Sequence, residues 1–161
     1  MPGEDITHPV PDLTGYITEG QIVLSHELHI RGVYPPFDPL RSLSRLMRLG
    51  AGDGKTRADH LEIAAQLYAL VAQARRVSDL AEVVGADALS ARERRYLGFA
   101  DAFETGFADQ GRDELRTLEE TLERAWRVAS MLPERELTMM SESALASYYT
   151  GDDGGDADST G

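Results

Sequence analysis

The residues best suited to chemistry lie between Gly32 and Met47, in the run GVYPPFDPLRSLSRLM. Three prolines (Pro35, Pro36, Pro39) restrict the backbone, and the segment ends on Arg45, held in Ser-Leu-Ser-Arg-Leu. A guanidinium on a stiffened loop suits planar, bidentate recognition of a phosphate or carboxylate. Arg45 reads as a cationic finger offered to a phosphate on another molecule; the competing reading is an ordinary arginine in a surface loop or salt bridge.

Two other stretches invite chemical readings and do not meet their requirements. In Gly50-Ala-Gly-Asp-Gly-Lys-Thr56 a phosphate loop would need glycine at position 49, which is leucine, and a buried strand before it. The stretch reads instead as a flexible hinge ending in a helix cap. His26 and His29 are three apart, whereas a helical zinc motif sets its histidines four apart and needs a third ligand. They read as surface histidines at a strand end.

The remaining elements must position Arg45. Residues 1–12 carry three prolines and should be extended or looped. Gly15–Thr18 and Gln21–Leu24 read as short strands around a turn at Glu19-Gly20. Two such strands bury too little alone and ask for a larger sheet. From Thr56 the pattern is helical, with Thr56 and Asp59 as a capping pair. The stripe Leu61, Ala64, Ala65, Tyr68, Val71 and Ala72 should face a core to about Arg76, followed by a short helix, Asp79–Val84, capped by Ser78 and closed by Gly85. Ser90/Glu93 and Thr117/Glu120 cap two more helices, with stripes Tyr96, Leu97, Ala100, Phe103, Phe107 and Leu118, Leu122, Ala125, Trp126, Ala129, Leu132. Pro133 should break the chain before a last helix to about Tyr149, completing an antiparallel bundle whose aromatic stripes are core. From Gly151 the tail should be disordered.

Composition narrows the function. The 161-residue chain has a net charge of −12 and no continuous basic stripe, which argues against nucleic acid. No cysteine is present, which excludes disulfides and thiolate metal sites and favours an intracellular setting. No apolar run reaches the ~20 residues needed to cross a bilayer, so the expectation is a soluble protein joined to a membrane only through partners. Arginine greatly outnumbers the lone Lys55, which with the acid excess suggests a high-salt or high-GC source.

Several longer motifs closely resemble the non-catalytic B subunit of archaeal and vacuolar-type rotary ATP synthases. They are the run from Thr7 to Leu24, Gly32-Val-Tyr-Pro-Pro, Ser42-Leu-Ser-Arg-Leu-Met47, Gly54-Lys-Thr-Arg-Ala-Asp-His60 and Tyr96-Leu-Gly-Phe-Ala-Asp-Ala-Phe103. The resemblance implies a mainly α chain: a helical bundle (51–150) preceded by a short β/loop remnant of a P-loop-type α/β nucleotide-binding domain (1–50), with an acidic tail (151–161). Only the last third of such a subunit is represented, and Met1 matches an internal methionine, which reads as a fragment or a misassigned start. Without the phosphate-loop region, no nucleotide is expected to bind the chain alone and no hydrolysis is expected. ATP or ADP would sit at a subunit interface of the intact complex.

By the same resemblance, Arg45 matches the arginine projected into the neighbouring catalytic A subunit of an alternating hexamer, with Ser42 and Ser44 bracing its loop. Tyr34 and Ser44 fall where a nucleotide contact is implied; for Tyr34, rigid packing between prolines is the alternative. Asp87, Leu89, Ser90 and Glu93 match the loop that presses on the central rotor, although Arg92, Arg94 and Arg95 dilute its acidity. The implied location is peripheral, on the cytoplasmic face of the cell membrane, in a complex coupling ATP synthesis to hydrogen-ion or other ion transport. A stand-alone helical interaction module remains the alternative, and a self-sufficient nucleotide enzyme is disfavoured by the failed phosphate-loop register.

Overall fold

The computed structural model describes residues 18–52, 54–111 and 113–151. The expected loop at 1–12, most of the first expected strand and most of the tail lie outside these residues. Among the described residues the fold is mainly helical with one two-stranded sheet.

Strand β1 (Gly20–Gln21) pairs antiparallel not with a neighbouring hairpin strand but with β2 (Leu43–Ser44), in the register Gly20 to Ser44 and Gln21 to Leu43. The expected Glu19-Gly20 turn is therefore displaced: Gly20 is in the strand. A Cβ at Gly20 would stand 3.2 Å from the Leu43 carbonyl oxygen, so the close approach favours glycine. Between the strands, α1 (His26–Ile30) replaces the expected strand end at the histidines. The Ser25 hydroxyl accepts from the Leu28 amide at its start, and His26 and His29 lie exposed. Helix α2 (Met47–Gly50) follows β2.

The bundle is built on α3 (His60–Val84), one continuous helix of 25 residues, about 37 Å long. Ser78 does not restart it, because Ala74 and Val77 carry the buried face through that point, and Gly85 (φ 87°) ends it. The buried face is Ile63, Gln66, Leu67, Leu70, Ala74 and Val77. It is rotated from the expected stripe, leaving Tyr68 half-exposed. The rotation is possible because the polar Gln66 is satisfied at both ends: its amide nitrogen donates to the Glu136 carbonyl (3.2 Å) and its oxygen accepts from the Met139 amide (2.8 Å).

Helices α4 (Ala91–Ala102) and α5 (Leu118–Ala129) each open with a reciprocal capping box, Ser90/Glu93 and Thr117/Glu120. A π-helical turn, Phe103–Ala108, extends α4, and Phe99, Phe103 and Phe107 stack along it at 6.1 and 5.3 Å between ring centroids. After Pro133 the chain does not enter the last helix directly. A 3-10 turn, Glu134–Glu136, is held by Gln66, and Ser141 is held by the Glu62 carboxylate (2.9 and 2.8 Å). Only then does Ser141 cap α6 (Glu142–Tyr148). These tertiary bonds displaced the expected helix start by several residues.

The start of α3 is locked from both sides. Asp59 is buried, and its carboxylate accepts two bonds from Arg57 (2.6 and 2.8 Å) and one from the Trp126 indole (2.6 Å). Arg57 lies 4.3 Å over the Tyr148 ring, which in turn sits 5.5 Å from Trp126. The expected Thr56/Asp59 capping box does not form. Asp59 is spent on tertiary partners, and the Thr56 hydroxyl accepts from the Gly52 amide at 2.8 Å.

Burial alone would raise the Asp59 pKa, but the bonds from Arg57 and Trp126 outweigh it and leave the carboxyl below its ordinary value of 3.8. A depressed folded pKa gives stability that is present above the unfolded pKa and is lost as pH falls through the folded one. Asp59→Ala should cost about 3–5 kcal/mol by stranding Arg57 and Trp126. Asp59→Asn should flatten the acid limb of stability below about pH 4 in urea titrations at stepped pH. An unchanged acid limb would remove this cluster as its source.

Candidate functional site

Arg45 is exposed immediately after β2, and its own amide donates to the Glu19 carbonyl at 2.8 Å, extending the β1–β2 pairing by one rung. Its position is therefore set by main-chain bonds. The strip is braced from behind by Asp38 and Ser42. The Asp38 carboxylate accepts from the Leu40 and Arg41 amides (3.0 and 3.2 Å), folding the chain after Pro39, and its own amide donates to the Val23 carbonyl at 2.9 Å. The Ser42 hydroxyl donates to the Asp38 carbonyl (2.6 Å) and accepts from the Val23 amide (3.0 Å), so one side chain ties both arms together. Ser44 is exposed in β2 opposite Gly20, where its backbone belongs to the ladder.

Downstream, the Lys55 ammonium donates to the Leu49 carbonyl, and the Gly52 amide is taken by Thr56. The Gly50 and Ala51 amides donate back to the Leu46 and Met47 carbonyls and the Lys55 and Thr56 amides to that of Gly52, so these donors do not converge on an anion and the stretch does not fit a phosphate loop.

The proline segment is also fixed to the bundle. The Tyr34 amide donates to the Asp109 carboxylate (2.8 Å), and the Tyr34 carbonyl accepts from the Gln110 amide (2.5 Å). The Tyr34–Pro35 peptide is cis. The Tyr34 ring is about half-exposed, and its backbone is held by the bundle while Arg45 is held by Glu19.

At the far end of α3, the 3-10 turn Ala86–Ala88 makes a tip. Asp87 is exposed there, whereas Leu89 is buried, and its carbonyl accepts from the Arg94 guanidinium. The Glu93 carboxylate accepts from both the Ser90 hydroxyl and amide (2.7 Å each), which lowers its pKa. Of the four residues expected to meet a rotor, Asp87 presents a side chain outward, Leu89 anchors the turn, and Ser90 with Glu93 caps α4. The exposed apolar Val83 and Val84 stand just before this tip. The sequence assigns them no role, because it places them at the end of a separate short helix, Asp79–Val84, whereas they end the continuous α3.

Taken together, a helical bundle carrying a short β strip with an outward arginine matches a known class. The family described as C-terminal domain of V and A type ATP synthase matches residues 49–149, and the ATP synthase alpha/beta family, nucleotide-binding domain, matches residues 1–44. The chain belongs to the V- and A-type ATP synthase family. Its relatives are subunits B: that of Methanopyrus kandleri is 58% identical over 92% of this chain and 15% of its own, and that of Aeropyrum pernix 57% over 92% and 32%. The Thermus thermophilus V-type ATP synthase beta chain is 54% identical over 92% of this chain and 31% of its own. A solved chain described as a unique ATP synthase subunit, NeqB from Nanoarcheaum equitans, superposes with a TM-score of 0.74 at 44% identity, over 83% of this chain and 33% of its own. The chain thus spans a third or less of the length of these relatives.

Ser42→Ala removes a hydroxyl that serves two part-buried backbone groups, and should cost about 1 kcal/mol locally. Amide exchange at Val23 should quicken roughly fivefold while α3 amides are unchanged. Equal acceleration in both places would mean global destabilisation instead.

Proposed function

We propose that this chain acts as the C-terminal part of a non-catalytic, regulatory B subunit, supplying Arg45 across an interface to a neighbouring catalytic A subunit. The observation that carries this reading is that Arg45 is exposed yet held by its backbone on a braced strip, within a chain of this family. As a phosphoryl group transfers, negative charge spreads over its oxygens, and a fixed guanidinium stabilises that charge without a reorganisation cost. The nucleotide belongs to the interface of the intact complex. Tyr34 and Ser44 are the nearest candidates of this chain to contact it from the B side.

The same reading places the Ala86–Ala88 tip against the central rotor, with Asp87 at the contact and Leu89, Ser90 and Glu93 holding its shape. Membrane association then runs through the complex, at the cytoplasmic face of the membrane.

In an assembled complex, Arg45→Ala should lower kcat about 10³-fold or more, in line with related arginine fingers, and leave assembly intact on native gels. Arg45→Lys should rescue little, since an ammonium cannot reproduce the planar fork. Unchanged turnover in assembled Arg45→Ala complexes would refute the assignment.

A further inference from the structure

A cleft of about 430 Å³ separates the proline segment from the bundle, within the size range of small-molecule sites. One wall is Leu28, Val33, Phe37 and Leu40; the other is Val71, Ala100 and Phe103 on the bundle. Ser25 and Ser78 contribute hydroxyl-bearing side chains. Its charged residues are already engaged: Arg31 pairs with Glu104 and, at 3.6 Å, with Glu27, Arg75 pairs with Asp79 at 3.3 Å, and Arg41, which also lines the cleft, has an interaction of its own. Asp38 is spent on the turn after Pro39.

We infer that this cleft is a binding site for an uncharged, ring-bearing small molecule that bridges the proline segment and the bundle. The charge pattern selects the ligand class. An anion would have to separate Arg31 from Glu104, and a cation Glu27 from Arg31, whereas a neutral aromatic body meets the rings of Phe37, Phe99 and Phe103 and aliphatic side chains without breaking an ion pair. Two walls from different parts of the chain make the site a splint. A molecule between them holds Val23–Ser42, and therefore the arginine strip, against α3 and α4. The inference depends on the cleft's geometry and stands apart from the assignment of Arg45.

The probe is N-phenyl-1-naphthylamine, uncharged and fluorescent in apolar surroundings, titrated into the full chain. The expected result is saturable one-to-one binding at micromolar concentration, with amide exchange at Asp38 and Gln110 slowed severalfold. Ser78→Trp and Ala100→Trp, which fill the cleft from two different helices, should each weaken binding at least tenfold with circular dichroism unchanged. Leu49→Ser, on the exposed apolar surface outside the cleft, should leave it unaltered. Absence of saturable binding would overturn the inference, as would binding unaffected by both fillers or abolished by Leu49→Ser. The charged relative 8-anilinonaphthalene-1-sulfonate should bind more weakly than the neutral probe, and the reverse order would overturn the assigned ligand class.

Discussion

The Asp59 carboxylate is the point on which the bundle depends. It is one buried anion with three donors, and those donors come from the loop before α3 and from the middle of α5. Tyr148 closes the same cluster from α6, under the Arg57 guanidinium. A buried ion pair is no guarantee of net stability, since desolvation offsets much of the attraction. Its geometric effect is to tie the start of α3 to α5 and α6 through Arg57, Asp59, Trp126 and Tyr148. The chain entering α3 is thereby anchored at Arg57 and Asp59.

The parts of the fold that were legible in the sequence are those whose partners lie three or four residues away. Ser90 with Glu93 and Thr117 with Glu120 form the capping boxes their spacing predicts, and the α5 stripe from Leu122 to Leu132 is core. Thr56 and Asp59 have the same spacing, and tertiary donors claimed the carboxylate instead. The face of α3 was misjudged because Gln66 is polar by type and core by circumstance: its partners lie some seventy positions away. The strand pairing failed for a related reason. Local turn chemistry favoured a hairpin at Glu19-Gly20, while the actual partner of β1 lies beyond the proline segment.

The candidate site shows the same division. Arg45 and its Ser42 brace could be picked out from the stiffness of the run and its resemblance to a family, and the structure adds how the strip is tied: Asp38 folds the chain and Ser42 spans both arms. The cleft behind it could not be read from the sequence, since its walls meet only after the proline segment has settled on α3 and α4.

The bonds from Tyr34 to Asp109 and Gln110 have a consequence in time. The segment carrying Arg45 leaves the ribosome before the bundle, and the carboxylate that accepts from the Tyr34 amide is made 75 residues later. At synthesis rates of 5–20 residues per second that is a lag of about 4–15 s. During that interval the apolar side of the proline segment has no bundle to settle on. The helices, with their local caps, can form as they emerge. Assembly thus runs opposite to the order of synthesis, with the bundle formed first and the proline segment seated on it last.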